Sequence, residues 1–366
     1  MTESDDLRQA VREFLGVTSP GTRVRDLMAT DEGYARAVWK QMANELGLHG
    51  IAIPEQFGGA GATMAELAVV FEEMGAALLC APFFSTVALA AHAILCSGDT
   101  AAMADYLPGL VDGSTTATLI LNGRLEAWDP HAVTLTARAD GTGHRIQGDA
   151  ELVLDGHTAD VVLVAAKTAA GTSLFAIAAE ADGLSRQPLA TLDRTRKVAR
   201  IQFNDVAARL IGTDGDAAAG LANTGDLATV ALAAEQVGAA QRCLDMAVEY
   251  AKERIQFGRA IGSFQAVKHR CADMLVLVEG ARSAAVHAAG AADAELSIAA
   301  SVAKIACSEA FLQVALDNMR IHGGIGFTWE HDAHLYVRRA KATQLMFGSP
   351  DFHADRLAEL VTSSSQ

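Results

Sequence analysis

The sequence predicts an α+β multidomain protein, in which an N-terminal helical domain and a C-terminal four-helix bundle flank a small β-barrel or sandwich. Three patterns predict this order. Apolar residues recur at helical spacing over residues 67–74, short runs alternate at strand period over 133–138, and helical spacing returns over 298–319. We therefore expect domains at residues 1–115, 116–213 and 214–366.

The first domain is predicted to be helical. Thr63 to Glu66 has the form of a capping box, and apolar residues follow it at helical spacing. Pro54 and the glycines at 58–61 mark a loop just before that helix. The apolar run Pro82–Leu95 contains polar residues and opens on its proline, so we expect a core helix rather than a membrane span.

The second domain is predicted to consist of short strands. The turn-forming residues at 140–143 follow the first alternating run. Further apolar or alternating runs, each short enough for a strand, occupy residues 161–166, 174–177 and 199–203.

The third domain carries a stripe of apolar residues at spacings of four and three. We expect this stripe to form the seam of the bundle, with Glu309 as the one charged member of the series. The apolar members are Ile298, Val302, Ile305, Leu312, Leu316 and Met319.

Composition excludes several classes of function. The 366-residue chain carries a net charge of −15 and offers no clustered basic face, which argues against nucleic-acid binding. Its five cysteines are scattered, as free thiols in a reducing compartment would be, and its acidic first residues do not resemble a secretion signal. His331 and His334 lack a third ligand, so no metal site is predicted. We expect a cytoplasmic protein that does not enter a membrane.

The segment Glu253–His269 joins two long helical patterns and offers groups that bind anions. Gly258 and Gly262 permit a turn there, and this turn would present Arg254, Arg259 and Gln265 close together. An arginine can hold a phosphate at two points, and a glutamine amide can both donate to and accept from a base edge. A helix–turn–helix with solvated arginines is the alternative.

Three segments together resemble the acyl-CoA dehydrogenase family of flavoproteins. The run that starts at Glu253 resembles the family's ERxxFGxxIxxFQ segment, Arg320–Thr328 its HGGxGF segment, and Gly50–Gly61 its IPExxGGxG signature. They fall in the family's order and near its spacing, so the resemblance covers almost the whole chain. It implies FAD as the cofactor, an acyl-CoA substrate and electron-transfer flavoprotein as the acceptor.

The resemblance also implies which residues would bind FAD. In the family, one subunit's β-domain holds the flavin ring, and the neighbouring subunit's C-terminal segments hold the pyrophosphate and adenosine. Glycines let a backbone approach a phosphate closely. Carried over residue by residue, the contacts would come from Arg254 and Phe257 at the pyrophosphate and from Gln265, Arg320, Gly323 and Gly324 on the adenosine side.

The chain departs from the family at the catalytic base. The family places its glutamate in one of two positions, and a gapless count puts Phe347 at one and Ala228 at the other. Neither side chain can accept the α-proton of an acyl-CoA. Glu235 and Asp351 are substitute candidates, although Asp351 also fits a helix start after its preceding serine and proline.

The middle domain departs from the family as well. Leu152 and Leu154 stand at the places of the Trp-x-Thr segment that holds the flavin ring, and Leu121–Glu126 shows no version of the Thr-Glu-x-x-Gly-Ser loop. The chain therefore resembles the base-lacking partner in a heterotetrameric acyl-CoA dehydrogenase, a type of pair that in the family acts on CoA thioesters of bulky acids such as steroid side chains. Two alternatives stay open: a self-sufficient homotetramer that uses Glu235 or Asp351, and a structural helix-bundle protein without flavin.

Overall fold

A computed structural model describes residues 3–121, 128–141 and 143–363. The first helices are α1 (Glu3–Thr18), α2 (Gly21–Met28), α3 (Arg36–Asn44), α4 (Met64–Ala76), α5 (His92–Cys96) and α6 (Thr100–Val111). Seven strands follow: β1 (Ala117–Ile120), β2 (Thr136–Asp140), β3 (Gly143–Leu154), β4 (Val161–Lys167), β5 (Thr172–Ala178), β6 (Leu184–Pro188) and β7 (Val198–Ile211). The remainder comprises α7 (Ala218–Glu253), a hairpin of β8 (Ile255–Gln256) and β9 (Arg259–Ala260), α8 (Gln265–Ala289), α9 (Leu296–His322), α10 (Ala333–Leu345) and α11 (Pro350–Ser363).

These elements divide into two compact units, each described by itself below. The bundle unit comprises Met1–Val24, Ala68–Leu79 and Thr229–Gln366. The sheet unit comprises Arg25–Leu67 and Cys80–Ala228.

The capping box predicted before α4 is confirmed. The backbone N–H of Thr63 donates to Glu66 Oε2 at 2.9 Å, and the N–H of Ala65 donates to Thr63 Oγ1 at 3.2 Å. These reciprocal bonds satisfy amide groups that a helix start leaves without partners. The bonds from Thr63 also lower the pKa of Glu66, since they favour its charged form.

The apolar run at 82–95 is a buried helix, as predicted, but its first part is π-helical. The π segment covers Phe84–Ala91, all of it buried, and continues into α5. The ring nitrogen Nδ1 of His92 lies 2.9 Å from the carbonyl oxygen of Val87, and burial lowers the pKa of this histidine. Wide π turns are uncommon in helices and often occur near functional sites.

The described strands form one mixed seven-stranded sheet that closes on itself, so of the two predicted alternatives, a small barrel or a sandwich, the barrel is the one found. Strand β4 pairs with β5 on one side and meets β2 on the other through Thr136 and Lys167. The path β4–β2–β3–β7–β5 then returns to β4. Side chains from these strands fill the interior, among them Leu135, Ile146, Val164, Phe175 and Ile201.

Helix α9 is the centre of the bundle unit, because α8, α10 and α11 all pack against it. The predicted seam is wrong. Val302 is 39% exposed, the other apolar members of the stripe are only half-buried, and Glu309 is exposed. The buried face consists mainly of small residues, which let neighbouring helices come close: Ala299, Ala300, Ala303, Cys307, Ala310 and Ala315, with Phe311 and Val314 between them.

A close backbone contact joins α4 to α7 within the bundle unit. A Cβ added at Gly75 would lie 2.0 Å from the carbonyl oxygen of Glu235, and one added at Gly238 would lie 1.7 Å from that of Glu72. Only glycine fits at both points.

Among the described residues, one helical stretch is long and apolar enough to cross a membrane, at 296–327. However, 61% of its most apolar window is buried inside the protein, as is usual for the core helix of a folded bundle.

Candidate functional site

The proposed cofactor residues lie where three helices of the bundle unit end or begin. The Tyr250 ring, in the last turn of α7, stacks on the His322 ring at the end of α9 with centroids 4.4 Å apart. The N–H of Arg254 donates to the carbonyl of Tyr250 at 2.9 Å, so Arg254 directly follows that turn. Arg254 and Gly323 therefore belong to the same end of the bundle.

The hairpin after α7 presents an aromatic side chain to solvent. Ile255 pairs with Ala260 and Gln256 with Arg259, and the two-residue turn between the strands is Phe257–Gly258. Both turn residues have positive φ, 53° and 74°, as the favoured hairpin turns require. Phe257 is 91% exposed. A phenylalanine in this backbone region costs about 1–2 kcal/mol, and such strain is typical of positions that contact ligands.

Two arginines and a glutamine lie close to this turn in the chain. Arg254 is exposed, and no ion pair or side-chain hydrogen bond engages it within 3–121, 128–141 and 143–363. The guanidinium of Arg259 lies 4.1 Å from the centroid of the Phe264 ring. Gln265, the first residue of α8, has Nε2 at 3.4 Å from Nε2 of His269.

The glycines after α9 leave the backbone open. Gly323 has φ +64°, which disfavours any other residue there, and a Cβ at Gly323 or Gly324 would meet nothing within 4 Å. Arg320, one turn before, is half exposed. Exposed arginines, an exposed ring and an accessible glycine backbone are the groups that suit an adenosine and its pyrophosphate. The structure brings all six proposed residues to one end of the bundle, and their contacts with FAD stay a prediction.

The two positions of the family's base carry no titratable group. Phe347 is 1% exposed with φ +59°, and its carbonyl accepts from Nε2 of His353 at 2.9 Å. Ala228, in the sheet unit, is fully buried.

Both substitute candidates have structural partners or positions. Glu235 is buried, and Arg339 Nη1 donates to its Oε1 at 2.7 Å. Asp351 is exposed in the first turn of α11, where the N–H of Phe352 donates to Ser349 Oγ at 3.2 Å. Ser349 therefore caps the helix, Pro350 opens it, and Asp351 suits its dipole.

The sheet unit offers apolar contacts at the place of the flavin-holding segment. The pairing of β3 with β7 shifts between Ala150 and Val153, and Leu152 at this bulge has φ +59°. Leu152 is half-buried and Leu154 is buried, so neither presents a hydrogen-bonding side chain. The proposed loop at 121–126 lies outside the described residues after Leu121.

Sequence reasoning missed a carboxylate at this end of the bundle. Asp317 on α9 accepts from Arg320 at 2.9 Å and from Arg270 on α8 at 3.2 Å. Arg270 follows Gln265 by little more than one turn, but it belongs to no motif. No set of three potential metal ligands converges among the described side chains. His331 instead accepts from the N–H of Ala333 at 3.1 Å, at the start of α10.

A closed sheet with helices before and after it in the chain, together with this surface, is what we expect of a flavin-binding dehydrogenase. Comparison with known proteins identifies the family. The model of the acyl-CoA dehydrogenase N-terminal domain matches residues 1–114, and that of the C-terminal domain matches 226–362. The chain therefore belongs to the acyl-CoA dehydrogenase family, whose members are FAD-dependent oxidoreductases acting on CH–CH bonds.

Relatives and solved structures resemble the chain over nearly its full length. Acyl-CoA dehydrogenase IpdE2 of Mycobacterium tuberculosis is 36% identical over 348 residues, which are 95% of this chain and 94% of that protein. A variant of the Tcur3481–Tcur3483 steroid ACAD has a TM-score of 0.88 at 33% identity, covering 99% of this chain and 98% of that one. The ChsE4–ChsE5 complex from M. tuberculosis has a TM-score of 0.90 at 29% identity, with the same coverage.

Proposed function

We propose that this chain is the partner subunit of a hetero-oligomeric acyl-CoA dehydrogenase. It would supply the pyrophosphate and adenosine contacts of an FAD, while a homologous subunit would supply the catalytic glutamate. Resemblance to a steroid ACAD and to the ChsE4–ChsE5 complex favours a bulky acyl-CoA, such as a steroid side-chain thioester, as the substrate. We place the complex in the cytoplasm, with electron-transfer flavoprotein as its acceptor.

One contrast carries this proposal. Both positions of the family's base are buried and hold side chains that cannot take a proton, Phe347 and Ala228. The opposite is true of the cofactor surface, where Arg254 and Phe257 remain exposed. A chain with exposed groups suited to the cofactor but no base at the family's positions would be able to complete the site of another subunit.

The chain's own residues would then bind and orient. Arg254 would hold the negative charge of the pyrophosphate, Phe257 would pack nearby, and the open backbone at Gly323–Gly324 would line the adenosine side. The chemistry that FAD would supply when bound is that of a hydride acceptor for the β-carbon of the acyl group. Accurate placement of the cofactor is the contribution that this subunit makes to the reaction rate.

Exposed apolar side chains support association with another subunit. On α8, Val276 is 72% exposed and Val286 is 65% exposed, and Leu275 and Val302 add to the apolar surface of α8 and α9. Large apolar side chains exposed on helix surfaces can belong to protein interfaces. We assign this surface to the homologous catalytic subunit.

A self-sufficient homotetramer is the second candidate function. It would use Glu235 or Asp351 as the base, yet Glu235 is held by Arg339 and Asp351 occupies a helix start. A flavin-free structural protein is the third candidate. This hypothesis does not explain why Phe257 is strained and exposed. Nor does it explain why the neighbouring Arg254 is exposed with no side-chain partner among the described residues.

The deciding experiment measures flavin content, oligomeric size and acyl-CoA oxidation for the chain alone and after co-expression with a homologue that carries the glutamate. We expect a colourless chain alone, and an active complex with about half an FAD per subunit, because each bound flavin needs one subunit of each kind. A yellow homotetramer that oxidises acyl-CoA without a partner would overturn the proposal.

Arg254→Ala tests the cofactor surface within that complex. We expect FAD affinity to fall about tenfold or more, the effect of losing one charge-assisted contact. Lys252→Ala is the matched control, because it removes an exposed positive charge two residues earlier on α7. Equal FAD affinity in the two variants would contradict the role of Arg254.

A further inference from the structure

The carboxylate of Asp317 lies between two arginines that come from different helices. Its Oδ1 accepts from Arg320 Nη1 at 2.9 Å and from Arg270 Nη1 at 3.2 Å. Its Oδ2 accepts from Gln313 Nε2 at 2.7 Å, so both carboxylate oxygens are engaged. The Asp317 side chain is only 11% exposed.

The two arginines differ from Asp317 in their exposure. The side chain of Arg270 is 43% exposed and that of Arg320 is 51% exposed. Each guanidinium therefore uses one nitrogen to bind the buried carboxylate and keeps other donors directed to solvent. The cluster carries two positive charges and one negative charge, so a net positive charge remains for an anion.

The cluster lies beside the proposed cofactor surface. Arg320 precedes Gly323 by three residues on α9, and Arg270 follows Gln265 by five residues on α8. The Arg270–Asp317 ion pair shows that the start of α8 lies against the end of α9. Two exposed arginines are thus held by one buried group, which precedes Gly323 by six residues on α9.

We infer that Asp317 is a positioning residue for the cofactor site: it orients Arg320 and adds Arg270 as a second cationic contact for the phosphate and adenosine side of FAD. A long arginine side chain loses much rotational freedom when it binds a ligand. A buried carboxylate that already holds the guanidinium reduces this loss, as preorganised groups do. The inference rests on the proposed function, because it takes FAD to bind at this end of the bundle.

Neutralising Asp317 has two effects that change FAD affinity in opposite directions, one through charge and one through the orientation of the arginines. Asp317→Asn removes a negative charge near an anion, which by charge alone should strengthen FAD binding. Loss of the two ion pairs should instead release both arginines and weaken it. We expect FAD affinity of the reconstituted complex to fall about tenfold, the size of one lost charge-assisted bond.

The test titrates FAD into the flavin-stripped full complex and follows the flavin spectrum. The variants are Asp317→Asn, the pair Arg270→Gln and Arg320→Gln, and all three together. Glu309→Gln is the matched control, since it removes an exposed carboxylate from the same helix. If Asp317 acts through the arginines, its substitution has no further effect once both are glutamine. A merely structural role would still weaken binding in that background.

The outcomes separate this inference from the proposed function. If the arginine pair weakens FAD binding and Asp317→Asn leaves it unchanged or stronger, the positioning role is wrong and the cofactor site stands. If Asp317→Asn weakens binding equally with and without the arginines, the positioning role is also wrong. If neither the arginine pair nor Arg254→Ala alters FAD affinity, the proposed cofactor surface itself is wrong.

Discussion

Arg339 Nη1 lies 2.7 Å from Glu235 Oε1, and the two side chains are 2% and 5% exposed. This ion pair joins α10 to α7 in the interior of the bundle unit. Both charges are removed from water, and the ion pair between them offsets part of that cost. We therefore regard Glu235 as a structural residue, and this assignment can be tested separately from catalysis.

Glu235→Ala should lower the free energy of unfolding by about 3–5 kcal/mol, because it removes a carboxylate to which the buried Arg339 guanidinium donates. The double variant Glu235→Leu/Arg339→Met removes both charges and should recover most of that loss. Denaturant unfolding of the three proteins measures the effect. A double variant as unstable as Glu235→Ala would contradict the explanation.

Catalysis gives an independent readout at the same position. Glu235→Gln keeps an oxygen that accepts from Arg339 but cannot take a proton from the substrate. We expect the complex with this variant to oxidise acyl-CoA at close to the wild-type rate. Activity reduced by several orders of magnitude in a folded complex would identify Glu235 as the base and favour the homotetramer.

Local signals in the sequence predicted much of the fold. The capping box at Thr63–Glu66 and the strand at 161–166 depend on neighbouring residues, and both occur where expected. The helix start at Ser349–Asp351 is local in the same sense. These elements could be predicted because their hydrogen bonds or side-chain alternation are encoded within a few residues.

The seam of α9 could not be predicted from apolarity. The larger apolar residues of the series, such as Val302, lie on the less buried face, whereas Ala303 and Cys307 are buried. The buried face combines small residues, which let neighbouring helices come close, with Phe311 and Val314, and none of these residues belongs to the predicted series. The pairing of Asp317 with Arg270, 47 residues apart, could not be predicted from the sequence either, since it depends on how α8 lies along α9.

Lys304 should make stability depend on pH. Its fully buried Nζ donates to the carbonyls of Thr343 and Gln344 at 2.9 Å and to Ser308 Oγ at 3.0 Å. Within the described ranges, no carboxylate forms an ion pair with it. Burial lowers the pKa of Lys304 from 10.5 to about 7, and the nearby Cys307 opposes this only in part.

The sign follows from proton binding. Below pH 7 the lysine is protonated in both states, whereas between about pH 7 and 10.5 the folded amine loses its proton and the unfolded one keeps it. The unfolded state then binds more protons, so the contribution of Lys304 to the free energy of unfolding rises with pH in this window. Lys304→Met should therefore cost about 2–3 kcal/mol more at pH 9 than at pH 6. The same cost at both pH values would contradict the lowered pKa.

Gly238→Ala should destabilise the bundle unit. The added Cβ would lie 1.7 Å from the backbone oxygen of Glu72, which cannot move without separating α4 from α7. We expect a loss of about 1–3 kcal/mol or more, as for other overpacked contacts. Gly280→Ala is the control, because a Cβ at that helical position meets nothing within 4 Å. There alanine should stabilise α8 by up to about 1 kcal/mol, so melting temperatures of the two variants should move in opposite directions.

Phe347→Glu restores the family's residue at one base position, and we expect it to yield a less stable protein without activity of its own. The Phe347 side chain is 1% exposed, so the substitution would bury a carboxylate in place of a ring. That change costs several kcal/mol unless the acid stays protonated, about the size of other buried unpaired groups. Val17→Glu, at a position 82% exposed, is the control and should leave the melting temperature unchanged. Turnover of acyl-CoA by Phe347→Glu alone, at wild-type stability, would show that this position opens to substrate and that one residue separates the partner from a catalytic subunit.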